Sequence, residues 1–298
     1  MDAPPEHEDC APFVRIAALL EEAGVNVPTI LDQDLALGFL LLEDFGDVTY
    51  LNAFAAFDGF IPFNTPALDI VRQLLGDATD SLIALQRLPN AADALPAYDA
   101  ELLTREMRLF PEWLAERHLG QPFTAEQWAV WQQGEQILLN NILKQGQVAV
   151  HRDFTVRNLM VTPERNPGVI DFQDAVYGPI SYDILSLTRD AFIGMHDELV
   201  LDTVVRYWEK ARDAGLPVPE SIDDFWRDFE WMGVQRHLKV AGIFARLHYR
   251  DGKTKYLTEI PRFLDYIRKT CNRYEELRPL GTLVRDLSGI QEETSYTF

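Results

Sequence analysis

A chain of 298 residues with 47% hydrophobic and 11% aromatic side chains can bury a sizeable core, so its acidity belongs to a folded surface and not to a disordered tail. Its 47 acidic against 27 basic residues leave a formal net charge of −20, which argues against nucleic acid as a partner. Cys10 and Cys271 lie far apart and outside any Cys or His ligand cluster, which supports neither a disulfide framework nor a zinc site and fits a reducing compartment. Met1 to Glu6 has no basic flank or apolar stretch of signal-peptide kind, and the densest apolar run, Leu35 to Leu42, is too short to span a bilayer. The expectation is a cytoplasmic protein with no membrane partner.

From Cys10 to Ala23 the apolar residues Phe13, Ile16, Ala17 and Leu20 fall at helical spacing, and Gly24 supplies the stop. Thr29 to Asp34 and Gly38 to Leu42 read as two short strands of a hairpin, followed by the break Glu43-Asp44-Phe45-Gly46. Long amphipathic segments then predict helices over Ile70 to Leu88, Ala100 to His118 and Thr124 to Gln145. A non-helical island interrupts them, with short strands at 148–150, 159–161 and 168–170 and a turn at Asn166-Pro167-Gly168. After Ser181 the chain reads as helical almost to its end, and the tail from Gly289 to Phe298 is expected to fray.

The island carries the chemistry. It reads His151-Arg152-Asp153-Phe154-Thr155-Val156-Arg157-Asn158 and then Ile170-Asp171-Phe172-Gln173-Asp174, a loop and hairpin that bring two carboxylates and an amide together. Phosphoryl transfer asks for a carboxylate to take the acceptor hydroxyl's proton and for oxygen ligands that hold magnesium against the phosphates. Asp153 suits the base, and Asn158 with Asp171 suits the metal. A lone Asp and Asn in a tight loop often do no more than satisfy backbone groups. Four such residues, His151, Asp153, Asn158 and Asp171, in this order and on these elements, favour the catalytic reading.

On these residues the sequence resembles the aminoglycoside phosphotransferase-like branch of the protein-kinase fold. The resemblance rests on His-x-Asp followed later by Asn, on Ile-Asp-Phe with a further amide, and on Gly178-Pro179-Ile180-Ser181-Tyr182-Asp183 leading into a helix. It implies an α+β, two-lobed fold with a truncated small N-lobe, helix, hairpin and hinge, over 1–46, and a mainly helical C-lobe over 47–298. It also implies ATP and Mg²⁺ as cofactors, Asp183 anchoring the catalytic loop with His151 in support, and the backbone of Leu42, Glu43, Asp44 and Phe45 as the hinge that meets adenine. From the residues alone, Asp183 also reads as a helix N-cap. A eukaryotic-type protein kinase is disfavoured, because Asp171-Phe172-Gln173 lacks the glycine of Asp-Phe-Gly and no Ala-Pro-Glu follows.

Segments outside the island, 98–113 and 235–246, resemble the bacterial anomeric kinases of N-acetylmuramate and N-acetylglucosamine, over almost the whole chain. That resemblance implies transfer to the C1 hydroxyl of an amino sugar in cell-wall recycling. It makes Tyr98, Glu101, Arg105, Glu106 and Trp113 candidates for a sugar-binding wall. Arg236, His237, Lys239 and Arg246 become candidates for an anion such as phosphate or the lactyl carboxylate of muramate. Read without it, Glu101 and Arg105 are an ordinary i,i+4 pair, and the basic residues partner nearby acids. An aminoglycoside kinase, which must attract a polycation, and a kinase-like binding module without turnover stand as the alternatives.

No Gly-rich loop and no phosphate-binding lysine precede the first helix, and Phe13 and Arg15 occupy the places where an inward glutamate is sought. The expectation is therefore that Met1 is internal to a longer protein. The hairpin is expected to show an apolar edge at Ile30, Leu31, Phe39 and Leu41.

Overall fold

The computed structural model describes residues 1–4, 6 and 9–289, so the expected fraying of the tail beyond Gly289 lies outside the described residues. Two compact units emerge, one formed by Met1–Tyr98 with Gln145–Trp226, the other by Asp99–Lys144 with Arg227–Phe298. The hairpin and the island therefore share the first unit, and position 46 lies inside it.

In the first unit the helix Ala11–Glu22 buries Phe13, Ile16, Ala17 and Leu20 on one face and ends before Gly24, whose φ of 85° only glycine adopts freely. Strands Ile30–Asp34 and Phe39–Leu42 pair antiparallel, with Gln33 opposite Leu40 and Asp34 opposite Phe39. Alternation along the second strand buries Leu40 and leaves Phe39 and Leu41 about half exposed or more, at 48% and 60%. Its outer edge is paired, since Ala3 donates to the Gly38 carbonyl at 3.0 Å and Leu40 to that of Met1 at 3.1 Å. The exposed apolar side chains of the second strand thus lie on one face, at Phe39 and Leu41, and Leu31 is exposed where the register of the first strand shifts, while residues 1–3 cover the edge of the Phe39 strand.

The island is built from two small antiparallel pairs, Gln147–Val150 with Val176–Pro179 and Leu159–Met160 with Gly168–Val169. The strand Val176–Pro179 has no counterpart in the sequence reading, because Val-Tyr-Gly-Pro carries no alternation. Behind these pairs lies the helix Ser181–Thr188, in which every residue is buried. The helices Leu68–Gln86 and Asp197–Asp213 complete the unit. Gln86 joins two of them through a Tyr207 hydroxyl and the Ile180 carbonyl.

The second unit is helical. Asp99 caps Ala100–Met107 by accepting from Leu102 N–H at 2.9 Å, and Thr124 with Gln127 forms a reciprocal cap on Ala125–Ile142. The helix expected over Ala100 to His118 changes pitch. From Phe110 to His118 it is a π-helix, and Leu119 N–H reaches the Leu114 carbonyl at 2.9 Å. Pro111 brings no N–H to the turn, and Gly242 of the helix Ile222–Asp251 lies so close to Leu109 that an added Cβ would sit 2.4 Å from its carbonyl oxygen. The helices Ile260–Arg273 and Arg278–Ser288 meet at Gly281, which leaves room for the Cys271 side chain. Among the described residues, no helix is long and apolar enough to cross a membrane.

Candidate active site

The catalytic loop is held from behind by a buried carboxylate. Asp183, fully enclosed, accepts the backbone N–H of His151 at 2.7 Å and of Arg152 at 3.1 Å. It lies inside the first turn of Ser181–Thr188, whose N-cap, Ile180, makes no side-chain cap. The N-cap reading of Asp183 is therefore replaced by a loop clamp. The clamp matters because Arg152 has φ 74°, in the left-handed region that disfavours a side chain.

His151, also fully buried, ties the loop to the neighbouring strand. Its Nδ1 accepts Asp153 N–H at 3.3 Å, so Nε2 carries the proton and donates to the Ile170 carbonyl at 3.1 Å. Burial holds its pKa below the ordinary value of 6.5, against the attraction of Asp153 and Asp171, and the ring stays neutral.

Asn158 gathers the chemistry. Its amide donates to the Asp153 carbonyl at 2.9 Å and to the Asp171 carboxylate at 3.1 Å, while its own backbone carbonyl receives Ile170 N–H at 3.1 Å. Gln173 donates to the other Asp171 oxygen at 2.9 Å. Asp171 needs that support, because its φ of 67° puts it in the left-handed region too. Both Asp153 and Asp171 are exposed, whereas Phe154 and Phe172 beneath them are fully buried, and Phe172 packs on Phe13 with ring centroids 4.8 Å apart. The result is two open carboxylates on an apolar, hydrogen-bonded floor. Sequence reasoning passed over Gln173 as an orienting group and Phe13 as part of the floor. The amide beside Ile-Asp-Phe was a signal for the first, and the buried face of the first helix was one for the second.

The hinge stretch is partly committed to its own hairpin. Glu43 N–H donates to the Thr29 carbonyl at 2.9 Å, and the Glu43 carboxylate accepts from the Thr29 hydroxyl at 2.8 Å. Asp44 accepts Gly46 N–H at 2.8 Å, Leu42 stands opposite Ile30, and the Phe45 ring lies against Gly168, where any Cβ would clash at 2.5 Å.

The substrate candidates divide by burial. Tyr98 belongs to the first unit and is 2% exposed, edge-on to Tyr182 and pressed on Gly178, so it is a core residue and not part of an open wall. Glu106 is equally enclosed, in an ion pair at 2.9 Å with Lys239, and Gln235 donates to its other oxygen at 3.4 Å. Arg236 and His237 lie inside the second unit, with His237 stacked on Tyr266 at 4.9 Å. The reason is that residues 229–239 are buried on every face of their helix, which makes this basic segment an interior one. Arg246 is half-buried, and burial together with Arg250 lowers its pKa. Trp113 is half-buried under the Arg117 guanidinium at 4.2 Å. Glu101 and Arg105 stay exposed and, unpaired with each other, border an open groove with Thr104, Arg108 and Glu112.

Residues 1–223 match the family described as "Phosphotransferase enzyme family". The chain belongs to this phosphotransferase family. Within it, the chain is 53% identical over its whole length to a protein of Neisseria meningitidis serogroup B named N-acetylmuramate/N-acetylglucosamine kinase, 86% of which is covered. A protein of the same name from Pseudomonas aeruginosa is 48% identical over 96% of this chain and 81% of its own. The fold is that of a solved, ADP-bound aminoglycoside phosphotransferase, with TM-score 0.54 at 16% identity over 87% of this chain and 82% of the other. The α+β, protein-kinase-like architecture expected from the motifs is thus the phosphotransferase fold.

Proposed function

We propose that this phosphotransferase is an ATP-dependent sugar kinase of the cytoplasm that phosphorylates the anomeric C1 hydroxyl of N-acetylmuramate and N-acetylglucosamine in cell-wall recycling. The observation that carries the transfer chemistry is the Asn158 amide, which joins the loop bearing Asp153 to the carboxylate of Asp171. The acceptor class is supported by the two relatives of that name at 53% and 48% identity.

Asp153 acts as general base. Its carboxylate is exposed and makes no hydrogen bond or ion pair among the described residues, so it is available to the acceptor hydroxyl. The anomeric hydroxyl is the most acidic on a sugar, which eases that transfer. Asp171 and Asn158 offer oxygen donors of the kind magnesium takes and would hold it together with phosphate oxygens of the nucleotide. Bound there, Mg²⁺ would neutralise the charge of the phosphates. The 42–45 segment would meet adenine through backbone groups other than Glu43 N–H, which is already used.

The test is nucleotide consumption with amino sugars, aminoglycosides and no acceptor. Turnover with the two amino sugars, giving a product without a reducing end, supports the reading. A 6-phosphate that still reduces would remove the anomeric claim, and turnover with aminoglycosides alone would remove the acceptor class.

A further inference from the structure

One residue before Asn158, the loop presents a cation with no acid to answer it. Arg157 is exposed, and its guanidinium lies over the Phe192 ring, 4.6 Å from the centroid. Among the described residues it forms no ion pair, in a chain with 47 acidic and 27 basic side chains. A charge over an aromatic face spends none of its N–H donors on that contact, so the planar fork remains free for an oxyanion.

The platform under it is built. Asp190, 1% exposed, accepts Phe192 N–H at 2.6 Å and Ile193 N–H at 3.3 Å. Gly194 and Met195 then pair in parallel with Phe60 and Ile61, and Arg189 closes the preceding turn on Asp197 at 2.9 Å. A fixed ring restricts a side chain that would otherwise sample many rotamers, which lowers the cost of ordering it on a ligand.

Neighbouring side chains of the loop diverge. Asn158 turns to Asp171, and Arg157 turns to Phe192. The cation thus rests on a partner other than the pair that suits the metal and its phosphates, which points to the acceptor as the source of the anion. Of the two acceptors proposed above, one carries a carboxylate on its lactyl ether and the other does not. Of the earlier candidates for that carboxylate, Arg236, His237 and Lys239 are enclosed, with Lys239 already paired with Glu106, and Arg246 is half-buried beside Arg250.

We infer that Arg157, steadied on Phe192, is the specificity-determining residue that binds the lactyl carboxylate of N-acetylmuramate, a contact N-acetylglucosamine cannot make. The inference rests on the amino-sugar reading. Its test measures kcat/KM for both sugars in the full chain and in Arg157→Gln, together with the wild-type value for the methyl ester of N-acetylmuramate. The ratio of N-acetylmuramate to N-acetylglucosamine kcat/KM should fall about tenfold or more in Arg157→Gln, chiefly through KM, because a charge-assisted contact is removed for one acceptor only. The wild-type protein should use the ester as poorly as the variant uses the acid. Equal losses on both sugars, an unchanged ratio, or an ester used as well as the acid would each overturn the proposal while leaving the kinase reading standing. Failure of the wild-type protein to use either sugar would overturn the acceptor reading, and this inference with it.

Discussion

Asp183 holds the backbone N–H of His151 at 2.7 Å from the far side of a fully buried helix turn, and its second oxygen holds Arg152. A carboxylate suits this task because both oxygens accept. An amide in its place would turn an N–H toward one of the two donors and leave that donor buried and unpaired. Asp183→Asn is therefore expected to be no milder than Asp183→Ala, each costing about 3 kcal/mol in denaturant unfolding. An asparagine variant as stable as the wild type would remove the clamp.

Asp153 and Asp171 should separate chemistry from binding. Asp153→Asn keeps shape but removes the proton acceptor, so kcat should fall roughly 10²- to 10⁴-fold with nucleotide affinity largely kept. Asp171→Ala deprives both Asn158 and Gln173 of their partner and removes a metal donor, and should weaken Mg-nucleotide binding as well as turnover. Titration calorimetry beside steady-state rates tells them apart. Normal nucleotide binding by Asp171→Ala would exclude it as the metal ligand.

How much of this was legible follows from what spacing encodes. His151, Asp153, Asn158 and Asp171 stand out because the chemistry needs those types at nearly fixed separations, and the structure gathers them in one unit. Burial is a different matter. Glu106 and Lys239 are far apart in sequence, and their ion pair exists because two helices of the second unit meet there, which no local pattern records. Tyr98 is a candidate for the sugar wall only through the resemblance of its segment, yet it packs so closely on Gly178 that an added Cβ there would stand 2.8 Å from the Tyr98 Cβ. The first helix, the hairpin and the caps of the later helices were readable, since each is set by local signals such as Gly24 and Thr124. The π-helix was not, because the backbone at its start meets Gly242 of a helix far along the chain, a contact that no local pattern records.

The buried histidine links loop order to pH. Burial keeps His151 neutral in the folded protein, with its pKa below 6.5, whereas in the unfolded chain it takes up a proton near that value. The folded state is favoured above this pH and loses that share as pH falls below 6.5 toward the folded value. Unfolding free energy should therefore rise with pH through the window just below 6.5. In His151→Gln the slope there should be smaller, by a fraction of a proton just below 6.5 and by one proton at most, even if the variant is less stable throughout. Identical slopes in the two proteins would mean that His151 binds its proton equally in the folded and the unfolded chain.

Two glycines offer opposite outcomes for the same substitution. Gly242 approaches Leu109 so closely that a Cβ would stand 2.3 Å from its carbonyl carbon and 2.4 Å from the oxygen, both backbone atoms held in the change from α- to π-helix. Neither can yield without moving a helix, so Gly242→Ala should cost about 2 kcal/mol or more. Gly76, in the interior of Leu68–Gln86, meets nothing within 4 Å of an added Cβ. There the methyl group restricts only the unfolded chain, and Gly76→Ala should stabilise by roughly 0.5–1 kcal/mol. Paired thermal or denaturant melts decide the matter: a tolerated alanine at 242 would show that the two helices of the second unit are free to separate at Leu109.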